Sequence, residues 1–277
     1  MEHSKTANRI MFALLVFAAA VFLFPIFVVL MNSFKNKFSI SQTPFVLPNG
    51  DTFAGITNYT TGVADIGFFS AFGWSLFITV FSVLAIVVFT SMTAWYIVRV
   101  KSVFTSIFYY ALVFSMIVPF QMVMFTMSKT ANTLGLDNPI GIILIYLGFG
   151  AGLSTFMFTG FIKSVPVQIE EAATIDGCNP AQTYWRIVFP ILKPTAITVA
   201  ILNTMWIWND YLLPYLVIGH DYKTIPIAVQ YLKCGYGSVD MGAMMAMLVL
   251  AIIPVVIFYL SCQKYIIKGV ASGAVKG

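Results

Sequence analysis

Charged residues are scarce in this chain. Asp, Glu, Lys and Arg make up only 9% of the sequence, whereas they make up about 25% of ordinary soluble domains. Hydrophobic residues make up 60%, which exceeds the roughly 45–50% of such a domain. A water-soluble core cannot hide that much apolar surface. The composition therefore predicts an integral membrane protein.

Histidine and cysteine are also scarce. The chain has only His3 and His220, and we expect both to be solvated loop residues. They cannot form a metal or acid–base cluster with each other, and a Ser nucleophile with a His–Asp pair has no plausible assembly. Three cysteines make no disulfide framework, and we expect all three to be structural. This inventory argues against an intramembrane enzyme.

A phosphate-binding loop is missing as well. No G-x-x-x-x-G-K-[ST] motif occurs, so we expect no nucleotide site in this chain. Five of its six apolar runs also lack ionisable residues, and the fifth run holds only Lys193 and Asp210 near its two ends. Ion-coupled carriers keep buried ionisable groups for their coupling chemistry. A secondary transporter is therefore disfavoured, and any ATP used must be hydrolysed by a separate protein.

Long apolar runs dominate what is present. A helix needs about 20 apolar residues to cross the roughly 30 Å hydrocarbon layer, and six runs have about that length. We predict an all-α membrane fold with a single transmembrane domain over residues 1–277. Pro25, Pro119, Pro214 and Pro254 are expected to bend or interrupt spans, although neutral packing kinks are equally consistent with them. The predicted spans are 10–31, 72–98, 104–127, 139–162, 190–214 and 241–260.

Basic residues are unevenly distributed between the loops. Basic residues near helix ends are retained on the cytoplasmic side, so we expect both termini in the cytoplasm, with ten Lys and Arg inside and five outside. This orientation separates Cys178 from Cys234, which then cannot pair. No basic run typical of nucleic-acid binding occurs, so lipid is expected as a partner and nucleic acid is not. The inner basic residues are Lys5, Arg9, Arg99, Lys101, Lys163, Arg186, Lys193, Lys264, Lys268 and Lys276.

The polar segment between the fourth and fifth runs has the pattern of two short helices. Pro166 suits the first turn of one helix, and Gly177 suits its left-handed C-terminal cap. Asn179, Pro180 and Gln182 predict an N-cap, a first-turn proline and a capping-box partner for the second helix. We therefore predict a helix-turn-helix elbow that projects into the cytoplasm. Its arms carry Glu170, Glu171 and Asp176, and then Tyr184, Trp185 and Ile187.

The same segment, 163–189, contains a spaced motif. Glu171-Ala172-Ala173 is followed after three residues by Gly177, and after nine more by Ile187-Val188-Phe189-Pro190. This spacing resembles the EAA loop of permease subunits in bacterial binding-protein-dependent ABC importers. The sequence departs from that motif at Phe189, where the family usually has Leu, and at Cys178, where Ala is common. The resemblance implies a type I ABC importer permease fold whose loop inserts into a partner ATPase. It assigns that coupling role to Glu170, Glu171, Ala172, Ala173, Asp176, Gly177, Tyr184, Ile187 and Pro190.

A stretch in the fifth run narrows the resemblance. The residues Trp206-Ile207-Trp208-Asn209-Asp210-Tyr211 with Pro214 are similar to the span-five signature of carbohydrate-uptake permeases. The ending 269–277 looks like the tail of a MalG-type subunit. This implies import of a di- or oligosaccharide, with a sugar phosphate such as glycerol phosphate as the runner-up and a passive channel or ion-coupled carrier as the alternative from another class. Candidates for the solute pathway are Trp208, Asn209, Asp210 and Tyr211, against a structural aromatic belt at the outer membrane surface.

The resemblance also implies an assembly. The expected partners are a second permease subunit that is MalF-like, an ABC ATPase dimer that is MalK-like or of the multiple-sugar type, and an extracellular solute-binding protein. No cofactor is expected on this chain, since ATP and Mg would be used by the partner ATPase. The tail bearing Lys276 would lie along the ATPase, and the outer loop 215–240 would contact the binding protein unless it is a solvated connector.

Overall fold

The computed structural model describes residues 5–219, 221–232 and 240–274, and the regular structure of these residues is helical. Lys35 pairs with Phe53 only in an isolated β-bridge. The prediction of an all-α fold is therefore confirmed. The helices are α1 (Lys5–Asn32), α2 (Lys37–Gln42), α3 (Thr57–Ile66), α4 (Phe68–Arg99), α5 (Val103–Ser115), α6 (Phe120–Thr133), α7 (Pro139–Ile162), α8 (Gln168–Ile175), α9 (Pro180–Thr183), α10 (Phe189–Asn209), α11 (Leu212–Val217), α12 (Ile225–Gln230) and α13 (Met241–Ala274).

Five helical segments of the described residues are long and apolar enough to cross a membrane alone. The run 104–127 is divided instead, because α5 and α6 meet at an angle of 107°. Pro119 explains the break: it has no N–H to continue a helix, and it disfavours helical backbone at Val118. Counted as one broken span, this pair is the sixth. The unbroken segments are Ala7–Asn32, Phe68–Arg99, Pro139–Ile162, Pro180–Asn209 and Met241–Tyr265.

The other three prolines do not interrupt a helix in this way. Pro25 lies inside α1 and Pro254 inside α13. Pro214 lies inside the short α11, because the helix of the fifth span ends at Asn209, before the expected boundary at 214. Asp210, with φ −74° and ψ 126°, is extended there. The fifth span is thus separated from α11 by a short non-helical junction.

The chain divides into two compact units by its backbone contacts. The first contains the described residues of Met1–Phe69 and Ala228–Val256. Within it, the side chain of Asn58 donates hydrogen bonds to the backbone carbonyls of Ser33 over 2.8 Å and Lys35 over 2.7 Å. These bonds fix α3 against the segment that follows α1. Most of α1 is exposed, as expected for a helix whose surroundings are lipid or other subunits.

The second unit contains the described residues of Ser70–Ile227 and Ile257–Gly277. Its core is formed by α4, α7 and α10. A Cβ on Gly150 of α7 would lie 2.6 Å from Cδ1 of Ile86, so a larger residue there would require the Ile86 side chain to shift. Asn203 of α10 is buried beside it and donates to Oγ of Ser154 over 3.2 Å. The buried apolar residues of this core include Ile86, Ile142, Phe158, Leu192 and Val199.

Candidate functional site

The elbow comprises α8, α9 and the π-helical turn Tyr184–Val188 that precedes α10. α8 ends at Ile175 and is followed by Asp176 and Gly177. The φ of Gly177 is 84°, a left-handed conformation that glycine adopts without steric cost. The N–H of Gly177 donates to the carbonyl of Thr174 over 3.1 Å, and that of Cys178 donates to Ala173 over 2.9 Å. These two bonds form a Schellman motif. The predicted cap at Gly177 is confirmed.

α9 begins at a capping box. Oδ1 of Asn179 accepts the N–H of Gln182 over 2.9 Å, and Oε1 of Gln182 accepts the N–H of Asn179 over 2.9 Å. Pro180 lies in the first turn, where its missing N–H leaves no bond unmade. The predicted start of the second helix is therefore confirmed. Pro166 lies just before the first arm rather than in its first turn, since α8 begins at Gln168.

The second arm is continuous with the fifth span, contrary to the expectation of a separate short helix. Residues Pro180–Asn209 form one 30-residue segment, and within it the N–H of Phe189 donates to the carbonyl of Tyr184 in a π-helical turn. Pro190 has no N–H for the carbonyl of Arg186, and its ring crowds that carbonyl. The wider π turn accommodates this proline. Movement of the second arm must therefore move α10.

The inner face of the first arm is anchored to α4 by Glu170. Its Oε1 lies 2.7 Å from Nη2 of Arg99 and accepts a hydrogen bond from Nε of Arg99 over 2.9 Å. Its Oε2 accepts a hydrogen bond from Nε1 of Trp95 over 2.9 Å. Arg99 also donates from Nη2 to the carbonyl of Val165 over 3.1 Å. Glu170 is only 9% exposed, so the structure places it inside the elbow rather than on its outer surface.

The inner face of the second arm is anchored to the same helix by Tyr184. The side chain is buried, and its hydroxyl lies 2.7 Å from Oγ of Ser91. Its ring centre lies 5.5 Å from that of Trp95. Ala173 of the first arm is also buried, where a small side chain permits close packing. Both arms are thus held against one helix, α4.

The outer face of the elbow carries the remaining coupling candidates. Ile175 has 86% of its surface exposed, and Trp185 has 48%. Ile187 is half-buried, and Pro190 is exposed. An acidic and partly apolar surface is therefore available to a partner, while the inner face holds the elbow to its own chain. The exposed residues of the first helix and of the turn that follows it include Glu171, Ala172, Ile175, Asp176 and Gly177.

Four residues of this site were not predicted from the sequence. Ser91, Trp95 and Arg99 anchor the elbow, and Ile175 is the most exposed of its large apolar side chains. The three anchors are spaced four residues apart, which places them on one face of a helix. A polar stripe at the end of an otherwise apolar span was the signal available for them. Nothing in the sequence indicated their partners.

The proposed solute-pathway residues lie at the junction between α10 and α11. Trp208 is buried, with its ring edge-to-face against Phe72 at 5.9 Å between centres. Oδ2 of Asp210 accepts a hydrogen bond from the hydroxyl of Tyr146 over 3.0 Å. Asn209 is exposed. Tyr211 stacks on Tyr215 at 5.1 Å. Trp208 and Asp210 therefore contribute to packing, while Asn209 and part of Tyr211 remain accessible.

Several sequence predictions fall on residues outside the described ranges. These include His3, His220, Cys234 and residues 233–239 of the predicted contact loop. The helix α13 continues to Ala274, and Lys276 lies beyond it, outside the described residues. Cys178 and Cys262 are free thiols. Among the described residues, no group of three His, Cys, Asp or Glu side chains is placed to hold a metal ion.

The chain is similar to known proteins over nearly its whole length. It is 40% identical over 253 residues to "Probable starch degradation products transport system permease protein AmyC" of Thermoanaerobacterium thermosulfurigenes, covering 91% of each chain. It is 37% identical over 270 residues to "Multiple sugar-binding transport system permease protein MsmG" of Streptococcus mutans, covering 96% of each chain.

The fold and the family agree with these relatives. A chain in the crystal structure of a bacterial ABC transporter involved in the import of the acidic polysaccharide alginate superposes with a TM-score of 0.79 and 24% identity, covering 96% of this chain and 99% of that one. The family described as "Binding-protein-dependent transport system inner membrane component" matches residues 82–272, which include the elbow and both ends of the fifth span. The chain belongs to this family of inner membrane permease components of binding-protein-dependent ABC importers.

Proposed function

We propose that this chain is a translocation subunit through which an ABC importer takes up a di- or oligosaccharide, and that its elbow receives force from a separate ATPase. Family membership makes it a multi-pass plasma-membrane permease that works with an ATPase and a substrate-binding protein. The observation that carries the coupling role is the two-faced elbow. Its inner face is bonded to α4 through Glu170 and Tyr184, and its outer face is exposed.

The elbow has two connections to the membrane part. The first is the hydrogen-bonded contact of Glu170 with Trp95 and Arg99 on α4. The second is the continuous helix from the second arm into α10. When an ATPase dimer closes and displaces the outer face, both α4 and α10 must respond. A rigid displacement of these helices would open the pathway on the opposite side, with ATP hydrolysis resetting it.

The expected cargo follows from the relatives and from the chemistry of the α10–α11 junction. The two relatives are named for starch degradation products and for multiple sugars. Tyr211 is partly accessible there and lies beside exposed Asn209; aromatic faces suit the C–H surfaces of sugars, and amides suit their hydroxyls. A sugar phosphate is less suited, because the two relatives are named for sugars and not for phosphate esters.

The assembly proposed for this chain contains a second, MalF-like permease, a MalK-like or multiple-sugar-type ATPase dimer and an extracellular binding protein. ATP and Mg are bound by the ATPase. The elbow and both termini face the cytoplasm in this proposal, because most of the basic residues near span ends then lie inside. A passive channel or ion-coupled carrier would have no use for an exposed elbow that is braced against two spans.

The test uses the complete transporter in proteoliposomes with its binding protein, ATP and a labelled oligosaccharide. We expect ATP-dependent accumulation. In Gly177→Val, uptake should fall about tenfold, since a left-handed φ costs a side-chain-bearing residue roughly 1–2 kcal/mol and redirects the turn. Apart from Gly177 itself and its two chain neighbours, no atom lies within 4 Å of the new Cβ, so a loss would come from backbone conformation rather than from a clash.

The matched control is Gly160→Val in α7, where a new Cβ also meets nothing within 4 Å and the backbone is helical. Its uptake should stay within about twofold of the parent, as expected for an unstrained surface substitution. Full-rate uptake without ATPase would refute the importer proposal in favour of a channel. Preferential uptake of glycerol phosphate would refute only the carbohydrate assignment.

A further inference from the structure

A basic cavity lies beside the base of the elbow. It has a volume of about 620 Å³ and lies where the end of α4, the start of α5 and the end of α7 come together. Its walls include Arg99, Lys101 and Lys163, together with Tyr109 and Tyr110. Neither the solute pathway nor the exposed face of the elbow uses this cavity. Its chemistry therefore requires a separate explanation.

The positive charge of the cavity comes from its two lysines. Arg99 is neutralised by Glu170, which lies 2.7 Å away. Lys101 and Lys163 are exposed, and neither forms an ion pair with any residue that the structure describes. Nζ of Lys163 lies 5.9 Å from the ring centre of Tyr109. The cavity therefore presents about two unpaired positive charges, which suits an anion.

The serine and threonine hydroxyl groups in the cavity wall already donate hydrogen bonds within the chain, so they are not free to donate to a ligand. Thr105, Ser106 and Thr159 each donate to a backbone carbonyl of their own segment, over 2.8, 3.0 and 2.9 Å respectively. The lysine ammonium groups and the phenol hydroxyls of Tyr109 and Tyr110 can donate to a ligand. Such a set suits the several acceptor oxygens of a phosphate group.

The surface next to the cavity is apolar. Val103, Phe104 and Ile107 are 77%, 71% and 64% exposed, and they belong to α5, which also supplies Thr105, Ser106 and the two tyrosines. Free phosphate would gain nothing from this surface. A phosphate carrying acyl chains would cover it, since a basic pocket between membrane helices beside an apolar flank suits a lipid headgroup.

We propose that this cavity binds the headgroup phosphate of an anionic phospholipid, with Lys101 and Lys163 as its charge partners and the acyl chains along α5. The bound lipid would lie next to the Arg99–Glu170 pair that holds the elbow. The proposal depends on the membrane placement of α4, α5 and α7 and not on the cargo of the transporter. It can therefore fail while the importer function stands, and the reverse also holds.

The experiment is native mass spectrometry of the purified full-length chain with its partners, titrated with phosphatidylglycerol or with phosphatidylcholine of the same acyl chains. We expect phosphatidylglycerol to bind more tightly. In the Lys101→Gln, Lys163→Gln double variant the affinity for phosphatidylglycerol should fall about 25-fold, because each lysine near a lipid headgroup contributes a factor of roughly five. The control double variant Lys129→Gln, Lys193→Gln changes two exposed lysines elsewhere and should bind phosphatidylglycerol like the parent.

A third arm adds inorganic phosphate as competitor. If a lipid is the ligand, phosphate at equal concentration should leave bound phosphatidylglycerol in place, because it lacks the apolar contact. Displacement of phosphatidylglycerol by equal phosphate would overturn the lipid assignment in favour of a free-anion site. Unchanged phosphatidylglycerol affinity in the Lys101→Gln, Lys163→Gln variant, or equal affinity of the parent for phosphatidylcholine, would overturn the proposal altogether.

Discussion

The elbow and the α10–α11 junction each contain one carboxylate that meets an aromatic donor from a neighbouring span. Glu170 accepts from Nε1 of Trp95 over 2.9 Å, and Asp210 accepts from the hydroxyl of Tyr146 over 3.0 Å. The two differ in their remaining partners. Glu170 also faces the guanidinium of Arg99, whereas Asp210 accepts backbone N–H groups of the helix that follows it.

This difference gives the two carboxylates different structural roles. Oδ1 of Asp210 lies 3.1 Å from the N–H of Leu212 and 3.4 Å from that of Leu213, so it caps α11 in the manner of an N-terminal cap. An amide can make the same bonds. Glu170 instead balances a charge that is largely removed from water, and an amide cannot do that. The elbow should therefore be the more sensitive region to neutral substitution.

The largest effect is expected for Glu170→Gln. The side chains of Arg99 and Glu170 are 19% and 11% exposed, so the substitution leaves a mostly buried guanidinium without a counter-charge. Breaking a buried pair destabilises a protein by roughly 3–5 kcal/mol, and we expect about 2–3 kcal/mol for this partly hydrated pair. The first measurement is denaturant unfolding of the purified transporter. The second is ATP-dependent uptake, which should also fall because the elbow is less firmly anchored to α4.

The double variant Glu170→Gln, Arg99→Gln is the control for this prediction. It removes both charges, so it should regain a substantial part of the stability that the single variant loses. If the stability losses of Glu170→Gln alone and of Arg99→Gln alone simply add in the double variant, the ion pair is not what anchors the elbow. In that case the distinction drawn between Glu170 and Asp210 would have no basis.

A smaller effect is expected for Tyr146→Phe at the junction. It removes one hydrogen bond to Asp210 and leaves the cap on α11 intact, so we expect a loss of about 1 kcal/mol. The matched control is Tyr96→Phe, because Tyr96 is 54% exposed and should lose less than about 0.5 kcal/mol. Unfolding of both variants under the same conditions provides the measurement. A loss as large as that of Glu170→Gln would remove the contrast between the two regions.

The parts of the elbow that were predicted correctly depend on neighbouring residues. The cap at Gly177 and the capping box of Asn179 with Gln182 involve residues within four or five positions of each other. Such local signals are visible in a sequence. The continuity of the second arm with α10 was not visible, because Pro190 is compatible either with a helix start or with the π turn that the structure shows.

The anchors of the elbow could not be predicted for a different reason. Trp95 and Glu170 are separated by 75 positions, and no pattern in one sequence states which distant polar residues meet. The same holds at the junction, where packing against Phe72 places Trp208 in the interior. The position of the break at Pro119 was predictable from its chemistry, but the angle of 107° between α5 and α6 depends on how those helices pack.

The smallest effect on folding is expected for Ile175→Asp on the outer face of the elbow. Ile175 is 86% exposed, so the substitution should change the free energy of unfolding by less than about 0.5 kcal/mol. If this side chain enters a cleft of the ATPase, the substitution should weaken ATPase binding about tenfold or more, as for an apolar anchor at an interface. Titration of the ATPase against the permease in nanodiscs measures this affinity.

Ile169→Asp is the matched control, since Ile169 lies in the same helix and is only 40% exposed. It should reduce ATPase affinity less than Ile175→Asp does, although it can disturb folding more. Equal affinities for the parent and the Ile175→Asp variant would place the ATPase contact elsewhere on the elbow. The exposed side chain of Ile175 would then have no part in binding the ATPase. A loss of ATPase affinity with unchanged stability would instead separate the two faces of the elbow: Glu170 holds the elbow to α4, and Ile175 contacts the ATPase.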